Sequence, residues 1–335
     1  MAHTTVLCCA ENTDPEWRWV ESHFINTNVD FEFARCPPRR FDRVLGIINL
    51  RRLIGCFEAV SMAQRIDARV IVTHGPTLAA WCAIFARLFG LKTPIFAHSF
   101  NFTKLPGASK RAVFRFAFSS VKRFIVFSQM EKRIYSKAFG IPIDRFDFVH
   151  WGARTPKVEP PDRPVESGDY VSAIGGNARD YGTLIETART LPNMRFILVV
   201  RPENIQNVAL PANVSVLANT SFGKAMNILL HSRFMVLPLL PGDIPCGHVT
   251  LVAAMHLGKA MVVTNSSGVL DYVHDGDNAI AVDAGSPQML AEAVQRLWQD
   301  RDLCRRLGEN GRSFASAECT EARIAEHFRE LLGSQ

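Results

Sequence analysis

No Cys-x-x-Cys pair occurs in this chain, although it carries 8 cysteines: Cys8, Cys9, Cys36, Cys56, Cys82, Cys246, Cys304 and Cys319. They are scattered through strand-like and helix-like stretches, which argues against a metal or disulfide framework. Buried free thiols in a reducing compartment are the expectation. The N-terminal stretch Met1 to Ala10 lacks a basic flank and has only a short apolar run. It is expected to be a first strand rather than a signal peptide. The uncharged stretch from Val70 to Ala86 is broken by Gly75-Pro76. It therefore reads as strand, turn and helix, not as a membrane span. A soluble, cytoplasmic chain is expected. No nucleic-acid recognition motif is present, so nucleic acid is not an expected partner.

What is present is enough for two cores. The 335 residues are 47% apolar and 21% charged, an ordinary globular balance at a length that favours two domains. The net charge of +6 is uneven. Residues 1–150 carry 21 Lys or Arg against 12 Asp or Glu, and the remainder 17 against 20. An anionic partner for the first half follows. Lys104 to Lys137 holds nine of those cations and one acid, Glu131, with Phe114, Phe116, Phe118, Phe124 and Phe127 interleaved. Basic residues near headgroups with rings dipping below them predict peripheral association with an anionic membrane. The alternative is a solvated basic face over a packed aromatic core.

Six strand-like runs occupy the first half: Thr4–Cys9, Val29–Arg35, Arg69–Thr73, Pro94–His98, Arg123–Ser128 and Phe146–His150. Helix-compatible stretches such as Thr77–Leu88 and Gln129–Phe139 lie between them. The second half repeats the scheme with Tyr170–Ile174, Arg195–Val200, Val214–Leu217, Phe234–Leu239, Ala260–Thr264 and Ala279–Val282. Apolar runs alternating with helices predict parallel sheets covered on both faces. Thr155 to Pro164 contains four prolines and is expected to be a linker. The expected fold class is α/β, two tandem Rossmann-like, doubly wound domains spanning 1–154 and 168–315. Such sheets take ligands at the carboxyl ends of their strands, and with two domains the natural place is a cleft.

The residues that carry chemistry gather at such ends. Pro245 to Lys259 reads as a helix opened by Gly247 and stopped by Gly258. A helix start presents main-chain N–H groups and a positive dipole end, which suits phosphate. Gly247, His248, Val249 and Thr250 are the candidate ligands there, the last adding a hydroxyl. His248 alternatively faces solvent. The Gly175-Gly176 turn follows a strand and lets backbone approach a pyrophosphate. Arg179 is placed to supply a bidentate contact to the diphosphate; a solvated arginine at a helix start is the alternative. His98 ends a strand at its carboxyl edge and is a catalytic candidate, with His74 a weaker one. Asp243 follows Pro241-Gly242 and on its own reads as an ordinary turn residue.

Several stretches line up with one family. Ala173 to Ala188 resembles the Gly-rich opening of its nucleotide domain, and Pro211-Ala212-Asn213-Val214 its "P-x-N-V" strand entry. Met255 to Thr264 resembles its "AM-x-x-GKPVV-x-T" helix-strand, and Asp271 to Asn278 its "E-x-V-x-D-G-x-N" stretch. In the first half Phe127-Ser128 and Tyr135 to Pro142 resemble the stretch before its interdomain strand. The resemblance is to GT-B glycosyltransferases of family 4. It implies a nucleoside-diphosphate sugar donor (UDP or GDP), no further cofactor, no metal, a retaining transfer, and a lipid-linked or glycan acceptor at the inner face of a membrane. Arg179, Asp243 and His98 would then take the catalytic roles. The terminal helix, 318–332, would cross back to the first domain. Two departures stand out. The family's E-x7-E glutamates fall on Pro245 and Ala253, neither able to accept a hydrogen bond through its side chain. Glu11, Asn12 and Asp14 stand where the family has a Gly-rich acceptor loop. A binding module without turnover, partnering another transferase, is the alternative function.

Overall fold

In the computed structural model of the chain, described residues are 3–334 except 13, 15, 37–42, 45–47, 207 and 244. Two parallel six-stranded sheets organise it. The chain divides into a first unit, Met1–Val149 with Ile324–Gln335, and a second, His150–Arg323.

In the first unit the sheet runs β2-β1-β5-β6-β7-β8, every pairing parallel. Its strands are β1 (Thr4–Ala10), β2 (Val29–Arg35), β5 (Val70–His74), β6 (Ile95–His98), β7 (Arg123–Val126) and β8 (Phe146–Phe148). A two-residue hairpin, β3 (Arg43–Val44) with β4 (Ile48–Asn49), lies outside the expected set. Four helices follow the chain: α1 (Leu50–Arg65), α2 (Pro76–Leu88), α3 (Ala108–Phe118) and α4 (Gln129–Phe139).

The period of two in a strand decides where each side chain goes. From β1, Leu7 and Cys9 enter a core with Ile71, Phe100 and the buried faces of α1 and α2. Val6 and Cys8 enter the opposite one, with Val70, Val72 and Phe96. That second face is closed by Ile324, Ala325, Phe328 and Leu331 of the last helix, α10 (Glu321–Gly333). The helix expected over 318–332 is α10, which starts three residues later. An 18-residue α9 ends at Glu318, and α10 starts at Glu321.

All of the cysteines are unpaired. Sulfurs of Cys9, Cys56 and Cys82 lie within 4.8 Å of one another in the first core, where Cys56 Sγ donates to Leu78 O (3.7 Å). The aromatics of the basic stretch are core residues too. Phe114, Phe118, Phe124 and Phe127 are buried, and among them only Phe116 is exposed. The expectation of a row of membrane-dipping rings fails because α3 has one buried face, formed by Phe114, Ala117 and Phe118.

Glu131, the acid of that stretch, is also interior. It accepts from Phe127 N (3.0 Å), Ser128 Oγ (3.1 Å), Tyr135 Oη (3.1 Å) and Asn101 Nδ2 (3.0 Å). Burial pushes its carboxyl up to about 7 in spite of these donors. A carboxyl raised on folding stabilises fully below its unfolded value and loses that contribution as pH rises through the folded one. The difference in unfolding free energy between Glu131→Gln and wild type should therefore change by on the order of 3 kcal/mol from about pH 4.5 to 7, in favour of the variant. Urea unfolding at each pH reads it; a difference flat with pH would mean an ordinary carboxylate.

The second sheet runs β11-β10-β9-β12-β13-β14. Its strands are β9 (Val171–Ile174), β10 (Phe196–Val200), β11 (Val214–Ala218), β12 (Phe234–Leu237), β13 (Met261–Thr264) and β14 (Ile280–Val282). Helices α5 (Tyr181–Thr190), α6 (Phe222–His231), α7 (His248–His256), α8 (Pro287–Gln299) and α9 (Arg301–Glu318) accompany them. Strand order reverses between β9 and β12, which is the switch point of this sheet.

The proline-rich segment is not a loose tether. Asn227 of α6 donates from Nδ2 to Pro160 O (2.7 Å) and Arg163 O (2.9 Å), and accepts from Val165 N (2.9 Å). Val158 and Val165 pack on the second unit's core. The prolines exclude helix and sheet, as expected, but a buried amide straps the segment down. Among the described residues no helix is long and apolar enough to cross a membrane.

Candidate functional site

Strand β9 ends on Ile174 and gives way to Gly175-Gly176. Gly175 has φ +121°, and a Cβ there would come within 2.6 Å of Arg179 Nη2. A Cβ on Gly176 would come within 2.7 Å of Arg201 Cδ. Two arginines therefore press on the turn, and at Gly175 the positive φ and the buried Arg179 leave room only for glycine. Past the turn the chain doubles onto the segment after β12. Asp180 N donates to Pro238 O (2.9 Å), and Leu240 N to Ala178 O (3.0 Å). Asp180 then caps α5 by accepting from Thr183 N (3.0 Å). The strands on either side of the switch point are thus laced together at their carboxyl ends.

Arg179 sits inside this lacing, 9% exposed. Nη1 donates to Asn177 O (2.8 Å), Nε to Ile174 O (3.4 Å) and Nη2 to Thr250 Oγ1 (3.3 Å). All three acceptors are neutral, and no carboxylate pairs with it among the described residues. Burial lowers its pKa from the usual arginine value. The solvated helix-start arginine weighed from sequence is excluded. This is a desolvated cation without a counter-ion, an arrangement that is costly until an anion arrives.

Thr250 belongs to the first turn of α7. That helix starts at Gly247, whose φ of +97° sets the entry, and no side chain caps it. Val249 is half exposed at this end. His248 does not face outward. Its ring is buried, with Nε2 2.7 Å from Gly268 O. Burial brings it down to about 4, so at neutral pH the ring is uncharged and Nε2 donates to that carbonyl. The imidazole thus anchors the helix start, and whatever His248 offers a ligand is main chain. Asp243 lies in the exposed turn after β12 and accepts from Ser267 Oγ (2.6 Å). Pro245 and Ala253, where the family has glutamates, are both buried.

His98 lies in the first unit, at the end of β6, and its ring is sealed. His74 ends the neighbouring β5. The Trp19 ring packs edge-on at 5.1 Å from each, and Phe127 sits 5.7 Å from His98. His98 Nδ1 is 3.0 Å from Ser99 Oγ. The Nε2 atoms of both histidines and Trp19 Nε1 are buried without a hydrogen-bond partner. Burial depresses His74 to about 3 and takes His98 well below the ordinary histidine value. A charged general acid is therefore absent here at neutral pH. The loop lacking glycines is fixed by Arg35, which donates to Asn12 O (3.1 Å) and Asp14 O (2.7 Å). Glu11 pairs with Arg51 and Arg52. Sequence reasoning missed Trp17 and Trp19, whose signal was the Trp-Arg-Trp triplet in that loop.

Two Asp-x-Asp triplets, Asp275-Gly276-Asp277 and Asp300-Arg301-Asp302, escape the sequence argument as well. Their carboxylates are occupied locally, by Ala281 N, Asn310 Nδ2, Leu303 N and Arg305. A hollow of about 1030 Å³ in the second unit is lined by Arg233, Trp298, Asp300 and Arg301. Arg233 precedes β12, so this hollow is at the amino end of the sheet, the wrong edge for a doubly wound fold.

Residues 201–314 match the family model described as glycosyl transferases group 1. Lipopolysaccharide core biosynthesis glycosyltransferase LpsE of Rhizobium meliloti is 26% identical over 181 residues, which is 52% of each chain. The chain thus spans about half the length of that relative. Among solved structures, a glycosyltransferase from Rickettsia africae superposes with a TM-score of 0.73 at 12% identity, covering 99% of this chain and 98% of that one. Anabaena Alr3699/HepE in complex with UDP superposes with a TM-score of 0.72 at 15% identity, over 99% and 100%. At such identities the likeness is one of fold, and that fold is GT-B.

Proposed function

We propose that this chain is a glycosyltransferase that takes its sugar from a nucleoside-diphosphate donor held at the switch point of the second sheet. The observation that carries the proposal is Arg179, a buried guanidinium with neutral partners only, beside the uncapped start of α7. A diphosphate supplies the missing negative charge. Thr250 Oγ1, already accepting from Arg179, keeps its proton to donate. Arg201, exposed beside Gly176, is a second cation on the same turn. HepE is solved with UDP, which favours UDP as the first nucleotide to test.

Chemically, the site's task is to stabilise charge that grows on the leaving diphosphate as the glycosidic bond breaks. Fixed dipoles and a positioned guanidinium do this without reorganising. In a retaining, metal-free transfer the departing phosphate oxygen would take the acceptor's proton on the same face. LpsE is named for lipopolysaccharide core biosynthesis, and a lipid-linked or glycan acceptor is the proposal here. A second reading, a donor-binding module without turnover, is favoured by one observation. Buried Pro245 and Ala253 stand where carboxylates would grip sugar and ribose.

Thermal-shift titration with UDP, GDP and ADP tests the proposal. The preferred diphosphate at a hundred times its Kd should add about 2.7 kcal/mol of stability, and the parent nucleoside far less. No shift with any diphosphate would remove the donor site. Release of free sugar from the matching donor on long incubation would separate enzyme from module.

A further inference from the structure

From Ala68 to Met130 the chain has no Asp or Glu and nine Lys or Arg. This acid-free span builds α2 and α3, which pack together, with α1 on the other side of α2. Their outer surface is unexpectedly apolar. Leu88 is 71% exposed, Phe116 63%, Val113 53%, and Phe57 and Phe89 are exposed as well. Ring contacts tie the three helices together at this surface. Phe57 of α1 meets Phe89 edge-on at 5.4 Å and Phe85 at 5.7 Å. The Arg87 guanidinium lies 4.3 Å from the Phe116 ring centre and donates to Phe116 O at 2.6 Å, joining α2 to α3. Beside this surface is a cavity of about 460 Å³ lined by Arg87, Lys92, Ser120 and Lys122, with no acid in its wall.

We propose that this face docks on an anionic phospholipid surface. The Arg87–Lys92–Lys122 cavity receives lipid phosphates, while Leu88, Phe89, Val113 and Phe116 enter the boundary with the acyl chains. Exposed apolar groups rimmed by cations are the chemistry of an interfacial anchor. A second copy of the chain is the poorer occupant, because it would bring two basic rims together. This inference does not depend on the donor site, whose residues lie in the other unit. It also moves the contact away from the rings of Phe114, Phe118, Phe124 and Phe127, which the fold keeps for itself.

The test is vesicle co-sedimentation with phosphatidylcholine alone and with phosphatidylglycerol added, at low and high salt. Wild type should bind the mixed vesicles and lose affinity as salt rises. Two paired variants, Leu88→Ser with Phe116→Ser and Lys92→Gln with Lys122→Gln, should each weaken binding by on the order of tenfold or more. Both should keep a cooperative thermal transition near that of wild type, which shows that they are folded. Several results would overturn the proposal. One is wild type that is not retained by anionic vesicles, and another is equal retention of both variants. Displacement of the protein from vesicles by soluble glycerol phosphate would indicate a small-anion site. Loss, in the apolar variant, of self-association seen by light scattering would give the face to a second copy.

Discussion

Arg179→Met should cost nucleoside-diphosphate affinity roughly 10- to 100-fold while leaving the unliganded protein within about 1 kcal/mol of wild type. The two halves of this result come from one cause. In the empty protein the guanidinium is desolvated and meets only Asn177 O, Ile174 O and Thr250 Oγ1. Removing it gives up those hydrogen bonds and also the penalty of an unbalanced interior charge, so the effects oppose each other. Methionine keeps most of the volume, which limits any cavity. In the complex there is no such offset, because the charge-assisted bonds to phosphate are simply lost. Calorimetric titration and thermal unfolding of the same sample read both quantities. Unchanged affinity would take Arg179 out of the site. A collapse of the empty protein would make it a structural pillar instead.

Acid should unfold the first unit well before general carboxylate protonation. His74 and His98 are neutral in the fold, at about 3 and well below the ordinary value respectively. Unfolded, they titrate near 6.5. For groups depressed on folding, the stabilisation is complete above the unfolded pKa and is lost as pH falls. Each ring removes between one and two kcal/mol per pH unit below about 6. His327 of α10 is also lowered by burial and adds to the trend, while its partner Asp147 is raised. Glu131 opposes by one proton from about pH 7 downward. The double variant His74→Phe, His98→Phe keeps rings in the aromatic cluster and removes both protonation sites. Its acid midpoint should fall by about one pH unit. Tryptophan emission reads this cluster in part, because Trp17 and Trp19, two of the five tryptophans, both lie about 5 Å from the His74 ring. An unmoved midpoint would show that the rings are open to water.

Much of the architecture was legible from periodicity. Each of the twelve strand-like runs corresponds to a strand, because buried parallel strands need apolar residues on both faces and few other segments do. The β3–β4 hairpin was not legible, since two-residue strands carry no pattern. Nor was the strap on residues 155–164, because its donor and acceptor, Asn227, is distant in sequence and ordinary in composition. At the candidate site, Gly175, Gly176, Gly247 and Thr250 could be found because backbone constraints leave glycine and hydroxyl signatures. The state of the side chains could not. Whether His248 looks out or in depends on Gly268 O, and the burial of Arg179 depends on the lacing between Ala178 and Leu240.

The last helix carries a consequence for biosynthesis. On a ribosome the first unit's sheet emerges before α10, yet one of its faces stays only partly covered, by Val20 and Phe24, until residues 324–331 have been made. A sheet made earlier therefore closes after one made later. It needs protection from aggregation for as long as the rest of the message takes to translate. Stopping translation short of α10 would leave Val6, Cys8, Val70 and Phe96 greasy and wet, however well everything after His150 had already matured.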